Sequence, residues 1–117
     1  MIMAGGQGSR LGLNVEKPLL EIKGRKMISF VIDALLEASF DGIFAAVSPR
    51  TPETRDYLIA NYSDTVKTIE APGTGYVSDY IFAAEKLGIK EPFLLVMADL
   101  PLITGDIIEE ILVVYRR

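Results

Sequence analysis

Short apolar runs of strand character alternate four times with longer stretches of helical period, and that alternation restricts the fold of this 117-residue chain more than any other feature. Residues 1–4 are one apolar run. "GIFAAVS" at 42–48 is a second, nearly all apolar, as a strand covered on both faces should be. "TVKTIEA" at 65–71 and "PFLLVMA" at 92–98 are the third and fourth, and the last reads as the most buried. Between them, residues 27–38 place Ile28, Val31, Ile32, Leu35 and Leu36 on one helical face. Thr51-Pro52-Glu53 opens a second helix, with Thr51 as N-cap, Pro52 at the first position and an acid in the first turn; it runs to about Asn61. "PGTG" at 72–75 leads into a third helix, with Val77, Tyr80, Ile81, Ala84 and Leu87 on one side and Gly88 closing it. A fourth helix, capped by Thr104, carries Ile107, Ile108, Ile111, Leu112 and Tyr115. Tyr57, Tyr62, Tyr76 and Tyr80 read as packing residues, and Phe93, Leu94, Leu95 and Val96 as core. Four strands each followed by a helix predict an α/β fold: a three-layer α/β/α, Rossmann-like parallel sheet in one domain over residues 1–117.

Composition bounds the chemistry. With 50% hydrophobic residues the chain can build a core, burying about two-thirds of its unfolded surface. There is no cysteine, which removes disulfides, thiolate metal sites and a cysteine nucleophile and suits a reducing cytoplasm. There is no histidine, the commonest general base. No apolar run reaches the length of a membrane span, and the first residues lack the pattern of a secretion leader, so the expectation is a soluble, cytoplasmic protein. A net charge of −4 argues against a nucleic-acid partner. That charge is uneven. Residues 1–26 sum to +3 through Arg10, Lys17, Lys23, Arg25 and Lys26 against Glu16 and Glu21, while the remainder sums to −7. A positive zone on an acidic body can focus an anionic ligand. Of those cations, Lys23, Arg25 and Lys26 read as a solvated turn.

The chemistry concentrates in "IMAGGQGSRLG" at 2–12. Its spacing fits neither the Walker loop, which needs Gly-Lys after four intervening residues, nor the dinucleotide fingerprint, because Leu11 stands where the third glycine would be. The physics of a phosphate cradle remains: successive glycines let amide N–H groups converge on an anion. Arg10 adds a planar two-pronged donor and Lys17 a point charge, with Pro18 restricting the backbone beside it. Residues 5–26 contain only "LLEI" as a short strand, a long connection of the kind that carries function. In parallel sheets ligands bind at the carboxyl ends of the strands, where strand order reverses. The glycine segment after the first strand and Asp99 after the fourth both belong at that edge. Asp99 is read as a magnesium ligand rather than a loop cap. Asp79 faces either the base site or the first turn of its own helix, and the second reading is retained.

"IMAGGQGSRLG" followed by "EKPLLEIKGRKMISFVIDAL" resembles the signature of the MobA-like nucleotidyltransferase superfamily. There an apolar strand leads into A-G-G-x-G-x-R-x-G and then K-P, here Ala4 to Gly12 and Lys17-Pro18. "SPRTPETRDYL" at 48–58, "GTGYVSDY" at 73–80 and "EPFLLVMADLP" at 91–101 are most similar to the archaeal-type adenosylcobinamide-phosphate guanylyltransferases. The resemblance implies a fold like the nucleotide-diphospho-sugar transferases, and transfer of GMP from GTP to adenosylcobinamide phosphate with release of pyrophosphate. It implies nucleotide contacts from Ala4, Gly5, Gly6, Gly8, Ser9, Arg10 and Lys17, and from Ser48, Thr74 and Gly75 against the base and ribose. It also implies catalytic roles for Arg10, Lys17 and Asp99, with Mg²⁺ on Asp99. A molybdopterin or sugar-phosphate acceptor, or a GTP-binding module without transferase activity, are the alternative readings. Relatives carry more residues ahead of the glycines and continue well beyond the fourth strand and helix. The expectation is therefore the nucleotide-binding half, with the acceptor-binding half absent and an unpaired sheet edge through which two copies could form a homodimer.

Overall fold

The computed structural model describes residues 1–5, 15–38, 40–90, 93–98 and 105–116. Four parallel strands form its main sheet: β1 (Ile2–Met3), β4 (Ile43–Val47), β5 (Val66–Glu70) and β6 (Val96–Met97), in the spatial order β5-β4-β1-β6. Strand order therefore reverses between β1 and β6. Ile2 pairs with Ala45 on one side and Val96 on the other, and Met3 with Ala46 and Met97. β1 is only two residues long, but its flanks continue the ladder: Ala4 donates to the Ala46 carbonyl at 2.8 Å, and Ala98 to that of Met3 at 3.1 Å.

Four helices join and follow these strands: α1 (Met27–Glu37), α2 (Pro52–Tyr62), α3 (Tyr76–Leu87) and α4 (Gly105–Arg116). Period-two alternation in the strands divides the core. Ile2, Ala4, Ala45, Val47, Val96 and Ala98 pack with Ile28, Val31, Ile32 and Leu35 of α1, Leu58 of α2 and Ile108 of α4. Met1, Met3 and Ala46 turn to the other face and meet Ala83 of α3. The layers are thus helix, sheet and helix, as the alternation of runs predicts. Between β1 and α1 the "LLEI" stretch supplies β2 (Glu21–Ile22), which pairs antiparallel with β3 (Arg25–Lys26). Lys23 and Gly24 make the turn at φ 54° and 80°, the left-handed pair that a two-residue hairpin needs. Arg25 pairs with Asp33, and Lys26 with Glu21 at 3.4 Å, so these cations are solvated hairpin residues.

The faces differ from expectation in detail. Met97 is 40% exposed and Phe93 is also exposed, while Leu94 and Leu95 are half-buried; of the four residues read as core only Val96 is buried. The reason is position: among the described residues β6 is the sheet's edge. On α3 the expected residues Tyr80, Ala84 and Leu87 pack toward the sheet around the fully buried Ala83, while Val77 and Ile81 of the same predicted face are exposed, along with Tyr76. On α4, among the described side chains of the predicted stripe, Ile108 alone is fully buried, Leu112 packs against the same core, and Ile107 and Ile111 are outward; on α1 Leu36 faces outward. Thr104, the expected cap of α4, lies outside the described residues. Gly88 ends α3 as predicted, at φ 69°, with its own amide and that of Ile89 donating to the last carbonyls of the helix.

Candidate functional site

Three connections meet at the carboxyl edge of the sheet. Gly5 leaves β1, residues 48–51 link β4 to α2, and residues 71–75 link β5 to α3. Gly5 is pressed against the second of these. A β-carbon built on it would stand 2.7 Å from the Ser48 nitrogen and 2.8 Å from the Val47 carbonyl carbon, so no side chain fits. The missing side chain of Gly5 thus admits neighbouring protein backbone, a role that the glycine run did not reveal. Ser48, 1% exposed, donates its hydroxyl to the Gly5 carbonyl at 2.6 Å and accepts the Arg50 amide at 3.1 Å. The 71–75 connection closes over the same serine: a β-carbon on Gly73, at φ +79°, would lie 3.0 Å from the Ser48 side chain. The Arg50 Nε donates to the Gly73 carbonyl at 3.0 Å and ties the two connections together.

Two buried carboxylates hold this edge from behind. Asp79, 2% exposed, accepts the Gly73 and Thr74 amides at 3.0 and 3.2 Å. It therefore acts at the entrance to its own helix, the reading retained from the sequence. Glu16 is fully buried and reaches across to α2. Its carboxylate accepts the Glu53 amide at 3.0 Å, the Thr54 amide at 2.8 Å and the Thr54 hydroxyl at 2.7 Å. This corrects the expected capping by Thr51. Thr51 occupies the N-cap position, but its hydroxyl turns back to accept the Ser48 amide at 3.2 Å, and the acceptor for the orphan helix donors is supplied from 37 residues upstream. An isolated glutamate before Lys17-Pro18 gives no periodic signal for such a reach, and for that reason sequence reasoning missed it.

Of the residues the sequence nominates, the structure brings Ala4, Gly5 and Ser48 together directly. Lys17, half-buried, opens a 3₁₀ turn (Lys17–Leu19) between buried Glu16 and buried Pro18. Thr74 is exposed, and its hydroxyl lies 2.9 Å from that of Ser78; Gly75, at φ 146°, opens α3 and accepts the Ser78 hydroxyl at 3.2 Å. Gly6, Gly8, Ser9, Arg10 and Asp99 lie outside the described residues. Among the described residues no three acidic side chains cluster as a metal site. Arg25 and Arg55, raised above their ordinary values first by hydrogen bonds to Asp33 and Asp56 respectively, are paired at the surface in contacts of the hairpin and of the α2–β5 side.

This arrangement has relatives. Residues 1–117 match the MobA-like NTP transferase domain. An adenosylcobinamide-phosphate guanylyltransferase of Methanocaldococcus jannaschii is 41% identical over 114 residues, covering 95% of this chain and 56% of that protein. A bifunctional GlmU protein of Lactobacillus helveticus is 31% identical over 95% of this chain and 24% of its own length. The chain thus spans little more than half of the first of these and a quarter of the second. Among solved structures, Rv0371c of Mycobacterium tuberculosis H37Rv superposes with a TM-score of 0.71 at 19% identity, covering 97% of this chain and 58% of that one, a likeness of fold.

Proposed function

From the premise that the chain belongs to the MobA-like NTP transferase family, which it matches from end to end, we propose that it is a guanylyltransferase moving GMP from GTP to adenosylcobinamide phosphate. The observation that carries this reading is the 41% identity to a guanylyltransferase for that acceptor, running through 95% of the chain. The sheet supports it, because its order reverses between β1 and β6, where a parallel sheet offers its ligand crevice.

In the proposed reaction an oxygen of the acceptor's phosphate attacks the α-phosphorus of GTP, the bond from that phosphorus to the β-phosphate bridging oxygen breaks, and pyrophosphate departs with the electron pair. The acceptor is already an anion, so no strong base is required. The demand is to bring two anions into line and spread the charge that builds on the α-phosphate. Backbone amides of Gly5, Gly6, Gly8 and Ser9, beside Ala4, cradle the triphosphate, and Arg10 and Lys17 neutralise it. Thr74 and Gly75, with Ser48 beneath them, border guanine and ribose.

Glu16 and Asp79, the two buried carboxylates at this edge, are committed to backbone amides. Asp99, next in sequence to Ala98, is the carboxylate we assign to magnesium, to hold it with the substrate's phosphates. When bound, magnesium supplies positive charge against the developing phosphoryl anion. We place the reaction in the cytoplasm, and two copies of the chain side by side along the β6 edge; a monomer at all concentrations in sedimentation rules out that dimer.

The reaction is tested by following pyrophosphate from GTP and magnesium with and without adenosylcobinamide phosphate. Release that depends on this acceptor supports the assignment. Release only with molybdopterin or a sugar phosphate reassigns the acceptor, and GTP binding with no release under any acceptor makes the chain a nucleotide-binding module.

A further inference from the structure

The two ends of the stretch from Gly5 to Lys17 are gripped by one element, the β4–α2 junction. At the near end, Ser48 holds the Gly5 carbonyl at 2.6 Å. At the far end, the first amides of α2 and the Thr54 hydroxyl hold the Glu16 carboxylate at 2.7 to 3.0 Å. The grips are rigidly connected to each other: the Ser48 amide donates to Thr51, the Thr51 amide donates back to the Ser48 carbonyl at 3.0 Å, and Pro52 begins the helix directly. Ser48, Thr51, Thr54 and Glu16 are all buried, so the Ser48 and Thr54 bonds are shielded from water.

We propose that Glu16 is a positioning residue whose task is to fix Lys17 relative to Gly5. The reasoning is geometric. Lys17 follows Glu16 directly, and the next turn is locked as well, with the Leu19 amide donating to the Glu16 carbonyl at 2.8 Å and Pro18 and Leu19 buried. A three-point carboxylate clamp on one side and a buried proline on the other fix the backbone at Lys17. The same clamp settles a second matter. A helix N-terminus is an inviting anion site, but at α2 the chain's own carboxylate already fills it, so a substrate phosphate is directed away from α2 and toward the β1 side of the crevice. Both consequences rest on the reading that Lys17 meets the triphosphate.

The test is a double-mutant cycle on the full chain, read as the affinity for magnesium–GTP by calorimetry and as unfolding in urea. Lys17→Ala is expected to weaken GTP binding roughly 10-fold or more, as loss of a charge-assisted contact does. Glu16→Gln, which keeps the shape but turns an N–H toward donors, is expected to reproduce most of that loss. Combined with Lys17→Ala, it should weaken binding little further while still lowering the urea midpoint as much as it does alone. Thr54→Val, a substitution of the same shape that removes only the 2.7 Å bond, repeats the cycle should Glu16→Gln fail to fold, with smaller effects in the same direction. Losses from Glu16 and Lys17 that simply multiply, or a folded Glu16→Gln with unchanged affinity, overturn the inference while the functional reading stands. An unsubstituted chain that does not bind magnesium–GTP overturns both, and does so before any variant is made.

Discussion

A glycine can serve a ligand or serve the protein, and at position 5 the distances decide for the protein at least. A β-carbon there would sit 2.7 Å from the Ser48 nitrogen, a backbone atom that cannot swing away. Gly5→Ala must therefore push the β4–α2 junction off the end of β1, and overpacking of this kind costs about 1–3 kcal/mol. A matching fall in unfolding free energy by urea titration is the expected result, and an unchanged midpoint shows that the junction yields freely. Lys17 and Asp99 belong to a different class, since the proposed mechanism gives each a charge to set against the substrate. On the proposed mechanism Lys17→Ala and Asp99→Ala each lower turnover on the order of 10²-fold or more, because each removes charge aimed at the reacting phosphates. Circular dichroism of both variants should match the parent protein, and a near-parental rate in either removes that residue from the mechanism.

At the scale of elements, α3 shows how a helix entrance is built from its own first turn. Asp79 takes the Gly73 and Thr74 amides, and Gly73 carries the positive φ that brings its backbone against Ser48. Asp79→Ala leaves two amides without their acceptor, at about 1–3 kcal/mol for a buried one, and loosens the connection that borders the proposed base site. Lower stability together with weaker GTP binding is expected; a loss of stability with affinity intact would confine Asp79 to folding. Elements of this kind were readable in the sequence wherever a local rule governed them. The apolar runs gave the parallel strands, Pro52 and Gly88 marked the start of α2 and the end of α3, and the convergence of the first and fourth strand ends followed from the topology. Contacts between distant segments were not readable. Nothing near Glu16 announces α2, whose first donors a local reading assigned to Thr51. Nor could periodicity foresee that Ala83 would join Tyr80, Ala84 and Leu87 against the sheet while Val77 and Ile81 stay exposed. The edge position of β6 likewise exposes Met97, within the run that hydrophobicity alone reads as the most buried.

The molecule as a whole carries a net charge of −4, while its first 26 residues sum to +3. A nucleoside triphosphate is itself a polyanion, so at long range the body repels the ligand that the amino-terminal zone attracts. On the proposed reading those opposed fields would give magnesium a role at the binding stage, before any chemistry: the ion would reduce the charge that must approach an acidic protein, and Asp99 would hold it together with the phosphates. Binding to the folded state alone raises stability by about 2.7 kcal/mol at a hundredfold excess over Kd, which for a domain of this size shifts the thermal midpoint by about 10 °C. GTP with magnesium should produce a shift of that order. The same GTP in excess chelator should produce less than half of it, and Asp99→Ala should respond alike with and without the metal. Raising ionic strength should restore part of the chelated shift, because salt screens the long-range repulsion of the body more than the short contacts at the cradle. A full shift in chelator, insensitive to salt, would mean that the cations of the first 26 residues suffice alone, and the metal would then belong only to the transfer step.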